Sequence, residues 1–259
     1  MEKYVIIIVV TCIAVYVSLL IHRNMKAKKE GPVTGKTIQF KAKDGVNIKA
    51  HLYLTADKTK PFMLIFQQAG HSQQEYRNTA TQLNKMGFNC LAIHQRSARN
   101  IKGSKIKSKK QEDSLRTLTY DETYVDLESA LLYLKKAFPN FKTVVWGSSY
   151  AATLMFVLAS NYPNEVDGIV AFSPDNYLVF NDKTILDYAE GVHCPIFVTA
   201  GKKESKACER LHEQIQSEKK YLYIPIENEE QDSLTTKKKN TRKNQYWKIL
   251  TDFFESIVN

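Results

Sequence analysis

The chain has 259 residues, a formal net charge of +10, 43% hydrophobic and 25% charged residues, and four cysteines. That balance excludes a disordered or collagen-like chain, and four scattered cysteines are too few for a disulfide scaffold. No C-x-x-C pair is present, so neither a zinc site nor dithiol redox chemistry is expected, and the reading calls for no metal and no cofactor.

Residues 4–21 read YVIIIVVTCIAVYVSLLI, without a charge, a proline or a glycine. As a helix this stretch covers about 27 Å, close to the hydrocarbon thickness of a bilayer. A cleaved secretory signal would need a small-residue cleavage site, and none follows. The segment runs instead into Arg23, Lys26, Lys28 and Lys29, which outweigh Lys3 on the other side. Basic flanks stay on the cytoplasmic side of a membrane. The expected organisation is a single-pass membrane anchor over residues 1–22, a basic linker over 23–35, and a cytoplasmic domain over 36–259. Further lysine runs at 102–110 and 237–243 read as solvated segments that can touch anionic lipid. No recognition motif accompanies them, so nucleic acid is not an expected partner.

Within the domain, KTIQFKAKDGVNIKAHLYL alternates with period two around Asp44-Gly45 and reads as a hairpin. PFMLIFQ reads as a buried strand, QQEYRNTATQLNKMG as a helix ending at Gly87, and FNCLAI as a second buried strand. DETYVDLESALLYLKKAF carries helical periodicity and is stopped by Pro139. TVVWG, VDGIVAF, CPIFVTAG and YLYIPI read as strands. SYAATLMFVLASNY, KESKACERLHEQIQSEK and RKNQYWKILTDFFESI read as the helices between and after them. Alternating strands and helices with continuous apolar strands predict an α/β fold: a mainly parallel sheet with helices on both faces. In such sheets ligands collect at the carboxyl ends of the strands. GPVTGKT at residues 31–37 is one residue short of a phosphate-binding loop and follows a polar stretch instead of a strand, so it is set aside.

At one predicted strand end, Gly147-Ser148-Ser149-Tyr150-Ala151 passes straight into an apolar helix. A sharp strand-to-helix turn with small residues two positions either side of a serine is the context of a nucleophile elbow. Here the chain resembles the α/β-hydrolase family, and within it the dienelactone-hydrolase-like branch, from about Lys36 to the C-terminus. FQQAGHSQQEY looks like that branch's oxyanion loop, FNCLAIHQRS like its next strand and turn, and WGSSYAA like its elbow. The resemblance implies an α/β-hydrolase fold and a serine hydrolase acting on ester bonds. It implies Ser149 as nucleophile, backbone N–H groups of Ala69 and Tyr150 facing a developing oxyanion, and Glu204 as the acid of the triad. Glu204 equally fits a plain favourable charge at a helix N-terminus. Asp175, after VDGIVAF, is an alternative acid.

The departures bear on chemistry. The family's histidine belongs in the stretch before the last helix, here ENEEQDSLTTKKKN, which holds none; the resemblance puts Gln231 at that position. Gln67 stands where the oxyanion loop usually opens with histidine, and His94 where an aspartate usually precedes Gln95-Arg96-Ser97. A serine hydroxyl is a poor nucleophile until a base takes its proton, and an amide cannot do so. Of the six histidines, His22 adjoins the membrane segment, His51 the hairpin, and His193 the wrong end of a strand. His212 is expected to lie exposed in mid-helix. His71 and His94 alone follow strands at the carboxyl edge, as substitute bases. Three outcomes stay open: a degenerate hydrolase of low or no turnover, an active ester hydrolase with a relocated histidine, and a non-catalytic protein that binds a ligand or partner.

Overall fold

The computed structural model describes residues 35–55, 60–68, 76–96, 120–174, 178–225 and 243–258. The apolar segment 4–21, residues 23–34 of the basic linker, Ala69, His71, Asp175, Gln231, the lysine run at 102–110 and residues 237–242 of the later one lie outside the described residues. Among the described residues no helix is long and apolar enough to cross a membrane. Gly35–Asn259 forms one compact unit, and the fold below is that unit's.

The chain enters through β1 (Lys36–Lys41) and β2 (Asn47–Tyr53), an antiparallel hairpin. Its turn works because Gly45 takes φ 85° at no steric cost, while the Asp44 carboxylate accepts the Val46 N–H at 3.2 Å. There follow β3 (Phe62–Ile65), α1 (Arg77–Lys85), β4 (Asn89–His94), α2 (Tyr120–Ala137), β5 (Thr143–Ser148), α3 (Tyr150–Asn161) and β6 (Gly168–Phe172). A small hairpin, β7 (Val179–Phe180) and β8 (Lys183–Thr184), leads into the short α4 (Ile185–Ala189). The chain closes with β9 (Ile196–Thr199), α5 (Ser205–Gln214), β10 (Lys220–Tyr223) and α6 (Lys243–Val258).

Eight of these strands form one sheet in the order β1-β2-β4-β3-β5-β6-β9-β10. The pairings β1–β2 and β2–β4 are antiparallel, and every later pairing is parallel. Because side chains alternate across a strand, the sheet has two apolar faces. Leu64, Leu91, Val145, Ile169 and Val198 share one core with α2, α3, α4 and α5. Trp146, Phe197 and Phe88 are covered by α6, where they meet Trp247, Phe253 and Phe254 at ring-centroid distances of 6.0, 5.8 and 4.7 Å. α1 lies on that second side, its Ala80 carbonyl 3.7 Å from the buried Cys90 thiol.

Local sequence explains the helix ends. α2 begins with Asp121 and Glu122 and ends with Lys135 and Lys136, each pair matched to the dipole at its end. α3 is buried from Tyr150 to Ala159, which accounts for its being apolar all round. Two expectations are corrected. The helix read over 203–219 stops at Gln214, where Ile215 turns extended (φ −64°, ψ 129°) and Lys220 Nζ takes the carbonyls of His212, Glu213 and Ile215. His212 is half-buried rather than exposed, and its Nε2 is enclosed without a hydrogen-bond partner among the described residues.

Candidate active site

Ser149 joins β5 to α3 with φ 55° and ψ −128°, a conformation that L side chains rarely adopt and that costs about 1–3 kcal/mol. Both flanks hold it there. Its N–H donates to the Phe172 carbonyl of β6 at 2.8 Å, carrying the strand ladder one residue past β5. Its carbonyl accepts the Thr153 N–H at 3.1 Å and the Thr153 hydroxyl at 3.3 Å, so α3 has already begun. A ladder that ends and a helix that starts on the same residue leave no room for a relaxed turn. The hydroxyl of Ser149 makes no capping bond to α3, and the residue is half-buried at the sheet's carboxyl edge.

Gly147 makes the turn possible. A Cβ there would lie 3.3 Å from backbone atoms of Ala151 and Ala152, so a larger residue would have to push the strand and helix apart by a few tenths of an ångström. Tyr150 opens α3, and the first N–H groups of a helix have no acceptor inside it. They point out beside Ser149 with the positive end of the helix dipole behind them. The neighbouring turn repeats the device: Ser173, one residue past β6, has φ 47° and donates its N–H to the Thr199 carbonyl at 2.7 Å.

The segment leaving β3 is tied to this turn by buried side chains. The Gln67 N–H donates to Gln95 Oε1 at 2.6 Å, and Gln67 Nε2 to the Gln95 carbonyl at 3.2 Å. Gln95 Nε2 donates to the Tyr150 hydroxyl at 3.0 Å. The next amide, Gln68 N–H, donates to the Tyr76 hydroxyl at 3.0 Å. Ser148 Oγ, Gln67 Oε1 and Gln68 Oε1 are buried with no hydrogen-bond partner among the described residues. Beside them, Arg96 bridges two carboxylates: Asp126 of α2, reached by the Arg96 N–H at 2.7 Å and by Nε at 2.9 Å, and Asp44 of the β1–β2 turn. The Arg96 guanidinium holds Asp44 down at about 2, whereas burial pushes the Asp126 carboxyl above its ordinary value against that same guanidinium.

The other site residues spread out. His94 is exposed at the end of β4, and β3 stands between β4 and β5, so about 10 Å of sheet separates the two strand ends. Glu204 ends a short 3₁₀ turn (Lys202–Glu204) after β9, is exposed, and makes no side-chain cap to α5. His51 lies within β2, His193 precedes β9, and His212 lies near the end of α5 that leads to the start of β10, all away from the carboxyl edge around Ser149. Among the described residues no group of His, Cys, Asp and Glu could hold a metal ion.

Residues 60–255 match the sequence profile of the alpha/beta hydrolase fold, and the chain belongs to that family. A search of curated protein sequences returns no match. Among solved structures, the chain is similar to an esterase of Pyrococcus furiosus (17% identity, TM-score 0.68, 88% of this chain and 94% of that one). It is similar in the same degree to a dienelactone hydrolase of Anabaena variabilis (17% identity, TM-score 0.68, 88% and 99%). A highly thermostable carboxyl esterase of Bacillus coagulans aligns at 12% identity with TM-score 0.63 over 87% of this chain and 99% of that one. At such identities the likeness shows the α/β-hydrolase fold, and the chemistry must be argued from the residues.

Proposed function

We propose that this chain is a membrane-tethered, esterase-like hydrolase of the dienelactone-hydrolase branch that keeps its nucleophile and anion-stabilising amides but lacks the base, so that ester turnover is low or nil. Ser149 is the nucleophile of this reading, Ala69 and Tyr150 supply the oxyanion N–H groups, Glu204 is the acid, and Gln231 occupies the base's place. One observation carries it. Between β10 and α6, where the family's histidine belongs, residues 224–242 contain no histidine, and none follows His212 anywhere in the chain.

The magnitude decides between the readings. In a serine triad, loss of the histidine alone costs about 10⁶ in turnover, and what survives over water comes from the oxyanion hole and binding. A glutamine at 231 can orient a hydroxyl but cannot carry its proton. What remains is a site that binds carbonyl compounds and polarises them. The uncharged segment 4–21 with its basic flank supports a single span with the domain on the cytoplasmic side, where the lysine runs face anionic lipid.

The test is labelling of the purified full chain with a fluorophosphonate at neutral pH. Slow labelling, confined to Ser149 and abolished by Ser149→Ala, is the expected result. Rapid stoichiometric labelling would show a working base and send the search to His71 and His94 as relocated histidines. No labelling together with saturable binding of esters would leave a ligand-binding protein.

A further inference from the structure

Ser149 and Ser173 each stand one residue beyond the register pair Ser148 and Phe172, at the carboxyl ends of the adjacent parallel strands β5 and β6. Neighbouring strands run about 4.8 Å apart, so the two serines are side by side. Both have positive φ, 55° and 47°. Among the described residues only Asn181 and Asp182 share that feature without being glycine, and they fill the tight turn between β7 and β8, where such residues are at home. Serine is not of that kind, and glycine would sit at either strand end without strain.

The conformation is the harder to hold at Ser173 because Pro174 follows it: a residue before proline is pushed towards extended backbone, with φ of about −120°. Main-chain bonds keep it there. The Ser173 N–H donates to the Thr199 carbonyl at 2.7 Å, as the Ser149 N–H donates to the Phe172 carbonyl at 2.8 Å. Behind the turn, the buried Cys208 sulfur lies 4.0 Å from the Pro174 carbonyl oxygen. The hydroxyls take no part in this. Neither has a hydrogen-bond partner among the described residues, although serine oxygens commonly bond the backbone nearby. Both residues are half-buried. Two strained turns in a row thus keep a hydroxyl that the fold does not use, the pattern of a site that uses it instead.

We propose that Ser173 is a specificity-determining residue of the Ser149 site, donating a hydrogen bond to an oxygen of the acyl group close to the carbonyl that Ser149 attacks. The inference rests on the reading of Ser149 as nucleophile and deepens it by naming the substrate class: esters of acids that carry an ether or hydroxyl oxygen on the carbon next to the carbonyl. In an acyl group bonded to Ser149 Oγ, that oxygen is three bonds away, which carries it towards the next strand end. A plain alkyl chain laid against Ser173 would strip water from its hydroxyl and return no hydrogen bond, and a site that holds a hydroxyl for its substrate penalises such an analogue.

The test compares p-nitrophenyl methoxyacetate with p-nitrophenyl butyrate, whose acyl groups have the same length and differ by an oxygen in place of a methylene. The full chain is used in detergent at pH 9. Hydroxide takes the Ser149 proton, the bond from Oγ to the acyl carbon forms, and p-nitrophenolate leaves. Its release is read after subtracting the Ser149→Ala rate, and each rate is divided by the ester's spontaneous hydrolysis to remove the intrinsic difference in reactivity. The preference for methoxyacetate should fall about fivefold, the factor of one ordinary hydrogen bond, in both Ser173→Ala and Ser173→Gly. Glycine relaxes the turn and alanine does not, so a serine that served the backbone alone would make these two variants differ. Should Ser173→Ala fail to fold, Ser173→Gly carries the comparison. An unchanged preference in folded variants, or a loss in only one of two folded variants, would overturn the inference and leave Ser149 as nucleophile. Release indifferent to Ser149→Ala would instead overturn the nucleophile reading, and the role of Ser173 with it.

Discussion

Gly147 and Met155 meet across the elbow so closely that a Cβ on Gly147 would stand 3.1 Å from the Met155 sulfur, with the Ala151 and Ala152 backbone only 3.3 Å away. The methionine can swing aside; the helix backbone cannot. Gly147→Ala is therefore expected to destabilise the domain by about 1–3 kcal/mol, the usual cost of overpacking. The denaturant midpoint should fall with the slope unchanged, and the cost of Gly147→Ala should shrink only in part when it is measured in a Met155→Ala background, itself destabilised because Met155 is buried. A cost that vanishes in that background would mean that the side chain alone, and not the strand–helix approach, demands glycine.

Ser149 stores strain that a glycine would release. At φ 55° and ψ −128° the serine costs about 1–3 kcal/mol, while glycine pays about 0.5–1 kcal/mol more in unfolded-chain entropy. Ser149→Gly should thus raise stability by up to about 2 kcal/mol, whereas Ser149→Ala should leave it near wild type. Thermal and urea unfolding of the two variants side by side check this. A Ser149→Gly protein less stable than Ser149→Ala would mean the turn is not strained. A gain would fit a turn kept for chemistry or binding at the expense of stability.

The base hypothesis has a constructive test. Gln231→His should raise the turnover of a p-nitrophenyl ester well above wild type, because an imidazole at that position can take the serine proton. General-base catalysis of this kind contributes about 10²–10⁴-fold when geometry is right. The gain should follow a titration near pH 6.5, the ordinary histidine value, and vanish in Ser149→Ala. No gain would place position 231 out of reach of the elbow.

Much of this architecture is legible in the residues. The parallel strands are short apolar runs buried on both faces, so β3, β4, β5, β6 and β9 announce themselves, and the Gly147-x-Ser149-x-Ala151 spacing marks the elbow before any geometry is known. The hairpin β7–β8 and α4 escape that reading because they are only two to five residues long. Their signals are local: Asn181 and Asp182 both take positive φ in the turn, and Thr184 with Asp187 forms a capping box. The Gln67–Gln95–Tyr150 relay is illegible for a different reason. Its members lie 28 and 55 positions apart on three elements, and only the sheet order, with β4 and β5 either side of β3, brings them together. Glutamine carries no pattern of its own, so nothing in composition or spacing singles it out.

The Asp44–Arg96–Asp126 bridge gives stability an acid limb. The Arg96 guanidinium holds Asp44 at about 2, below its ordinary 3.8, so the folded protein resists protonation there. That contribution is complete above pH 3.8 and fades as the pH drops towards 2. Asp126 works the opposite way: burial raises its folded value, so it takes up a proton more readily folded than unfolded and partly offsets the loss. The urea midpoints of wild type and Asp44→Asn should therefore differ clearly at pH 6, narrow steadily below about pH 3.8 and converge only below about pH 2. A constant gap across that range would mean that Asp44 contributes through packing or its hydrogen bond to Val46 rather than through charge.

The proposed orientation across a membrane needs a reporter that the buried Cys90 and Cys208 do not provide. Cys208 is fully buried, its sulfur 4.0 Å from the Pro174 carbonyl oxygen, and Cys90 is buried between β4 and α1, so neither thiol meets an aqueous reagent in the folded domain. Burial also pushes the thiols of Cys90 and Cys194 up, away from the reactive thiolate. Glu209 stands on the exposed face of α5, one residue from Cys208, and its replacement by cysteine leaves the core untouched. In intact cells a membrane-impermeant maleimide should pass over Glu209→Cys and react with it only after permeabilisation, with wild type as the control for Cys194. Labelling of intact cells above that control would put the domain outside and reverse the orientation argued from Arg23, Lys26, Lys28 and Lys29.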